Sequence, residues 1–377
     1  MGEAEKKIKL VEIIADSKIG GGPTHVLGIL RNVSKEKFDC YLICPYGYLS
    51  VEAKLIGDVK VINVPMSSKF DFLSMFKLKS ELRKIQAAGD PFGPMIVHSH
   101  GPRGSLMAHL ASPAGTKQVY TEHIYDEDYR INNPMNAWLQ KSMLKKQNSK
   151  RDLVIAVSNS VKNFLLKSSI SSKDKTVVIP NGIDLKATDI KPRVVSKNSS
   201  APVIGAIGNL NRNKGHEYLI EAIPTLKKKF PLISLEIIGE GTKREELKDI
   251  IGAFGLDRNV TLLGSKKNAN KYLKHWRVCI LPSVSEPFGI VILEAMAAGI
   301  PVVASSVGGI TDIVTNKKNG LLVPPRNSEK LAQAILEILE HPVLAAKLRR
   351  EGKERVKDFS WQDIAKRIEE EYNRILG

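Results

Sequence analysis

Lys9-Leu10-Val11-Glu12-Ile13-Ile14, then Ala15 to Ile19, then Gly20-Gly21-Gly22-Pro23, then Thr24-His25-Val26-Leu27: this stretch decides the fold. It reads as a short strand, a glycine break and the start of a helix. Three glycines let backbone N–H groups approach an anion closely. Pro23 suits a first helical turn, whose amides carry partial positive charge. The alternative is a plain tight turn. The spacing is not Gly-x-Gly-x-x-Gly followed by a ribose-binding acid, so a nicotinamide site is disfavoured.

The same strand, break and helix recur on both sides of this unit. In the first half the apolar runs are Lys9 to Ile14, Cys40 to Cys44, Val59 to Val64, Met95 to Val97, Gln118 to Tyr120, Leu153 to Val157 and Val177 to Ile179. Near-continuous apolar runs of this kind are how buried parallel strands read. After Asn181-Gly182-Ile183-Asp184 the chain turns polar through Lys191 to Ser200, which reads as a linker. A second series follows at Pro202 to Ile207, Leu235 to Ile238, Val260 to Leu263, Val278 to Leu281, Val302 to Ala304 and Leu321 to Val323. The last segment places Ile364, Ile368, Tyr372 and Ile375 at helical spacing behind Ser360, with Trp361 read as core. The expected fold class is α/β, with two Rossmann-like domains. Residues 1–185 are completed by a C-terminal helix over 359–377, 186–200 is the linker, and 201–358 is the second domain. A length of 377 residues fits two cores better than one.

Cys40, Cys44 and Cys279 cannot make a disulfide framework, which suits a reducing cytoplasm. No apolar run of membrane-spanning length and no export signal is seen. The net charge of +17 divides as +8 over residues 1–185 (26 basic, 18 acidic) and +9 over 186–377 (31 basic, 22 acidic). So even a spread, without a basic tail, disfavours nucleic acid and points to anionic small molecules or an anionic membrane surface. Two stretches bear on the membrane: the aromatic-basic segment Lys69 to Lys79, and Lys141, Lys145, Lys146, Lys150 and Arg151 near helical spacing. Each reads either as a peripheral lipid contact or as a core-facing helix with a solvated basic edge.

The most informative chemistry lies in Ser283-Val284-Ser285-Glu286-Pro287-Phe288-Gly289-Ile290-Val291-Ile292-Leu293-Glu294. A strand ends at Leu281-Pro282, Pro287 and Gly289 form a loop, and good helix formers run from Ile290 until Gly299 stops them. Glu286 in the loop can reach a sugar hydroxyl. Glu294 lies about one turn inside the helix, and the amides between them suit a diphosphate. For Glu294 alone, the alternative is a surface helix with a capping acid.

Glu286, seven residues, then Glu294, with Phe288-Gly289 between, resembles the E-x7-E motif of retaining GT-B glycosyltransferases of family four. The resemblance extends to Gly20-Gly21-Gly22 with His25, Val157-Ser158 to Phe164, Ile179 to Asp184, Gly208 to Gly215, Ile238 to Gly241, Gly308-Gly309-Ile310 and Asn319-Gly320-Leu321. It implies a donor held mostly by the C-terminal domain in an interdomain cleft, and a terminal helix that crosses back to the first domain. Carried over by motif, Glu286 contacts the donor sugar, Glu294 the ribose, and the Gly289 and Ile290 amides the sugar or phosphate. Gly21, Gly22 and Phe288 join the donor-binding set, Lys214 neutralises the leaving diphosphate, and His123 in Thr121-Glu122-His123 faces the reacting sugar. Where the family commonly has Gly-Arg-Leu this chain has Gly208-Asn209-Leu210, and Arg212 is either the replacement cation or a solvated loop position. His98-Ser99-His100 matches the family's strand-end His-x-His; the same pair could hold a metal, though no third ligand stands nearby in the sequence.

The resemblance implies no cofactor and no metal, a nucleotide diphosphate sugar as co-substrate, and retention without an enzymic nucleophile. The expected reaction is transfer of a sugar to a hydroxyl of a sugar, glycolipid or lipid-linked glycan, in the cytoplasm or at its membrane face. Alternatives are a nucleotide-sugar epimerase, a phosphorylase, or a nucleotide-sugar-binding protein with weak catalysis.

Overall fold

The computed structural model describes residues 7–68, 71–124, 134–185 and 201–377, with 134–140 as backbone only. The linker read at 186–200, and Lys69 and Phe70 of the aromatic-basic segment, lie outside the described residues. The chain divides into two compact units, Met1–Gly182 with Trp361–Gly377, and Ile183–Ser360.

The first unit is built on a sheet of β1 (Ile8–Ile14), β2 (Phe38–Cys44), β3 (Val59–Asn63), β4 (Met95–His100), β5 (Lys117–Glu122), β6 (Leu153–Ala156) and β7 (Thr176–Val178). Its order is β3-β2-β1-β4-β5-β6-β7 and every pairing is parallel. Alternation along each strand divides its side chains between two helical layers. Leu10, Ile14, Ile96 and Val119 pack with Val26 and Ile29 of helix Gly21–Asn32 and with Ile364 and Ile368 of helix Trp361–Leu376. Val11, Ile13 and Val97 pack with Leu78 and Leu82 of helix Phe72–Ala87 and with Met107 of helix Gly101–Ala111. The C-terminal helix is therefore part of the first core. Trp361 fills space that two glycines leave, because a Cβ at Gly28 or Gly182 would lie 2.0 or 2.5 Å from its ring.

The second unit repeats the plan with β8 (Val203–Ile207), β9 (Ser234–Ile238), β10 (Val260–Gly264), β11 (Val278–Leu281), β12 (Val302–Ser305) and β13 (Leu321–Val323), ordered β10-β9-β8-β11-β12-β13. These pairings are also parallel. Gly205 and Trp276 reproduce the glycine and tryptophan device, at 2.0 Å from a hypothetical Cβ.

No described helix is long and apolar enough to cross a membrane. Helix Phe72–Ala87, capped by Asp71 on the Ser74 amide, buries Leu78, Leu82 and Ile85. Phe72, Leu73 and Phe76 are left 69%, 85% and 72% exposed, a small apolar face beside Lys77 and Lys79. The second basic stretch needs correcting. Arg151 is 2% exposed, with its guanidinium 4.3 Å from the Tyr120 ring centre and bonded to Gln147 at 2.9 Å. It belongs to a buried polar network, because a charge removed from water must be paired; Lys145, Lys146 and Lys150 remain as the exposed basic edge.

Candidate functional site

In a doubly wound sheet, the loops after the two strands where the order reverses flank the natural binding crevice. In the second unit those strands are β8 and β11. Lys214 sits in a single 3-10 turn, Arg212–Lys214, after β8, and Glu286 in the loop after β11. Seventy-two positions apart in sequence, they meet: Lys214 Nζ donates to Glu286 Oε2 at 2.6 Å, and Ser283 Oγ donates to the same oxygen at 3.1 Å.

The backbone holds this pair in place. The Val284 and Ser285 amides donate to Asn213 O at 2.8 and 3.2 Å, tying the two loops together. Gly215 has φ +63°, and a Cβ there would lie 2.3 Å from Pro282 O. On the other side the Gly309 amide donates to Glu286 O at 2.9 Å, and a Cβ on Gly308 would come within 2.0 Å of that carbonyl. The sequence needs glycine at 215 and 308 because backbone from another loop occupies the side-chain position.

Gly289, at φ +102°, caps helix Ile290–Ala297, so the Ile290 amide opens the helix. The Phe288 ring is 2% exposed and packs edge-on against Phe359 at 5.9 Å, which anchors the loop. Glu294 is half-buried, with Asn270 Nδ2 3.4 Å from its Oε1. Burial pushes its carboxyl up to about 7, against the pull of that hydrogen bond. Arg212 is exposed on the turn. Asn209 lies where two loops are zipped by backbone bonds, Gly208 N to Ile238 O at 2.9 Å and Leu210 N to Glu240 O at 3.0 Å.

The first unit gathers a second polar cluster at its own point of reversal, between β1 and β4. Parallel register sets Glu12 beside His98 and Ile14 beside His100, and alternation turns Glu12, His98 and His100 to one face. His100 Nε2 lies 2.5 Å from Glu12 Oε2, and His98 Nδ1 3.2 Å from Glu12 Oε1. Tyr372 of the C-terminal helix places its hydroxyl 2.6 Å from His98 Nδ1 and 3.3 Å from Glu12 Oε1. Thr121 Oγ1 is 2.7 Å from His98 Nε2, and His123 Nε2 is 3.3 Å from His100 Nδ1. His25, fully buried, packs its ring edge-on against His123 at 4.9 Å and Trp361 at 5.5 Å. Gly21 and Gly22 open its helix, with open space where a Cβ at Gly21 would stand.

Burial opposes ionising Glu12, yet the facing histidines and their hydrogen bonds outweigh it and hold the carboxyl well below the usual range. Burial and the neighbouring His98 push His100 down to about 4. His123 and His25 are pushed well below the ordinary value, burial being the main cause. Two sets could in principle share a cation, His25 with His100 and His123, and Glu12 with His98 and His100, since within each set the ligand atoms lie within 4.8 Å of one another.

The residues singled out in the sequence thus fall in two places. Lys214, Glu286, Gly289, Ile290 and Glu294 gather in the second unit, while His123, Gly21 and Gly22 belong to the first. Glu12, Tyr372, Ser283 and Asn270 join these sites through the fold, and the sequence reading assigns none of them a site role. Glu12 carried a legible signal, because an acid inside an apolar strand is buried only when paired; Tyr372 sat in a helical apolar stripe and read as core.

Residues 19–187 match the family described as Glycosyltransferase Family 4, and residues 188–355 the family described as Glycosyl transferases group 1. With two Rossmann-like units of parallel sheet, these adjoining matches define the chain as a glycosyltransferase of the GT-B type. More narrowly, it is a family-four-like glycosyltransferase. It is 29% identical over 92% of its length to an uncharacterised glycosyltransferase of Methanocaldococcus jannaschii, covering 93% of that protein. Its fold is similar to sucrose-phosphate synthase of Thermosynechococcus elongatus (TM-score 0.80, 22% identity, 98% of this chain and 99% of that one). It is also similar to Anabaena HepE solved with UDP-glucose (TM-score 0.81, 21% identity, 97% and 99%).

Proposed function

We propose that the chain transfers a hexosyl or N-acetylhexosaminyl group from a nucleotide diphosphate sugar to an acceptor hydroxyl with retention, the second unit holding the donor and the first the acceptor. The observation that carries this reading is the Lys214–Glu286 pair at the reversal of the second sheet, beside the opening of helix Ile290–Ala297. The Lys214 ammonium lies on the Glu286 carboxylate. A diphosphate draws Lys214 to itself, and Glu286 is released to accept hydrogen bonds from the sugar. As the bond from anomeric carbon to phosphate oxygen breaks, negative charge grows on the diphosphate. Lys214 and the first-turn amides stabilise that charge where a metal ion would otherwise serve. The departing phosphate oxygen takes the proton of the attacking hydroxyl on the same face, so no carboxylate need act as nucleophile. Glu294, once ionised, accepts from the ribose hydroxyls.

HepE with UDP-glucose supports beginning with UDP-sugars. Thermal stabilisation over a panel of UDP-, GDP- and ADP-sugars identifies the base, since a ligand of the folded state raises apparent stability. Glu286→Ala and Lys214→Ala are each expected to depress turnover at least 100-fold with folding intact by circular dichroism. Undiminished turnover in both removes the site assignment. We place the protein in the cytoplasm, in peripheral contact with anionic lipid through Phe72, Leu73 and Phe76. For the acceptor, a pocket of about 520 Å³ in the first unit, lined by Ser17, Lys18, Tyr46, Tyr48 and Arg103, offers both aromatic and cationic walls.

A further inference from the structure

We propose that Glu12, acting through His100, fixes His123 in its Nε2–H form, so that the Nδ1 of His123 is a standing hydrogen-bond acceptor for a substrate hydroxyl. The tautomer is independent of the transferase reading; that the partner is a substrate hydroxyl rests on it.

An ionised carboxylate only accepts, so the ring nitrogen 2.5 Å from Glu12 Oε2 must carry hydrogen, and that nitrogen is His100 Nε2. Glu12 cannot turn away, because its other oxygen is engaged by His98 Nδ1 at 3.2 Å and the Tyr372 hydroxyl at 3.3 Å. A neutral imidazole has one N–H, so His100 Nδ1 is a bare lone pair. It lies 3.3 Å from His123 Nε2, and a contact between two ring nitrogens at that distance needs one hydrogen, which His123 must supply. His123 is neutral as well, so its Nδ1 has no hydrogen. Among the described residues, the titratable groups facing this chain are Glu12 on β1, His98 and His100 on β4, His25 on helix Gly21–Asn32 and Tyr372 on the C-terminal helix. Burial keeps His25, His100 and His123 neutral and Tyr372 protonated. As a consequence His123 can neither protonate a leaving group nor donate to a substrate oxygen. It can only accept. Glu12 and His100 are positioning residues in this arrangement.

The competing occupant is a cation on His25, His100 and His123, which would take the same His100 Nδ1 and His123 Nε2 lone pairs. Long-range proton–nitrogen spectra of the eight histidines in the intact ¹⁵N-labelled protein separate the two, with His100→Asn and His123→Asn identifying the signals. The expected result is Nε2–H for both rings, unchanged from pH 8 to pH 5.5, and no stoichiometric transition metal by elemental analysis. An Nδ1–H signal for His123, its titration near the ordinary 6.5, or one metal per chain overturns the proposal. Glu12→Gln, whose amide can both donate and accept, is expected to give mixed tautomers at both rings and about a tenfold loss in turnover; Glu12→Asp is expected to restore part of each. A wild-type tautomer as stated, in a protein that transfers no sugar, sinks the transferase reading and with it the substrate hydroxyl, and leaves the Glu12–His100–His123 tautomer standing.

Discussion

Glu294 shows how a single residue reports on the site. Its carboxyl ionises near 4.5 in an unfolded chain and near 7 in the fold. Between those values the folded state binds the extra proton, so this group's contribution to stability falls as pH rises through the interval. In the proposed role the carboxylate of Glu294 accepts from the ribose hydroxyls, and nucleotide binding is then expected to tighten from pH 6 to 8 with release of a proton. Calorimetry of UDP in buffers of different ionisation heat measures both, and Glu294→Gln is expected to flatten the dependence. Gly308→Ala tests the clasp on Glu286 at the same scale. With a Cβ arriving 2.0 Å from Glu286 O, the loops must separate, and donor affinity is expected to fall at least tenfold while the core, which that glycine does not enter, keeps its melting transition. Little of this was legible in the linear sequence. Glu286, Gly289 and Glu294 stood out by spacing; that Lys214 reaches Glu286 follows only from the sheet reversal that joins the loops after β8 and β11.

Among the elements, two helices of the first unit show what an apolar pattern does and does not say. Helix Trp361–Leu376 buries its stripe. Trp361→Ala is expected to cost about 3–5 kcal/mol, because Gly28 and Gly182 leave no side chain able to refill the space, and a denaturant titration reads the loss. Helix Phe72–Ala87 buries Leu78, Leu82 and Ile85 but leaves Phe72, Leu73 and Phe76 at the surface. Serine at those three positions is expected to abolish sedimentation with anionic liposomes at low salt and leave stability unchanged. Wild-type protein that does not sediment rules the contact out. Helical spacing marks the C-terminal helix in the sequence, whereas the other reads there only as an aromatic-basic segment over Lys69 to Lys79 and runs on to Ala87; which apolar positions stayed exposed depended on what packed against them. Arg151 makes the same point in reverse, since its place in a basic run suggested a surface and Tyr120 and Gln147 made it interior.

On the scale of the whole molecule, the first unit is completed by residues that follow its previous segment only after the whole of Ile183–Ser360 has intervened. Ending the chain at Ser360 removes Trp361, Ile364, Ile368, Tyr372 and Ile375 from the first core. Such a chain is expected to lose the first unit's cooperative melting while the second still binds nucleotide, which calorimetric melting with and without UDP distinguishes.

The sequence by itself determined the strands, the breaks between them and the α/β class. Those depend on short-range properties: apolar runs that can be buried on both faces, and glycine or proline where the backbone must turn. All thirteen runs read as strands are strands, with ends shifted by a residue or a few. Tertiary structure alone decided which polar groups meet. Strand order sets Lys214 on Glu286 and gathers Glu12, His25, His98, His100, His123 and Tyr372 from β1, β4, the edge of β5 and two helices. A hydrogen bond depends on ångström-scale placement of groups far apart in sequence, and no local pattern records that distance.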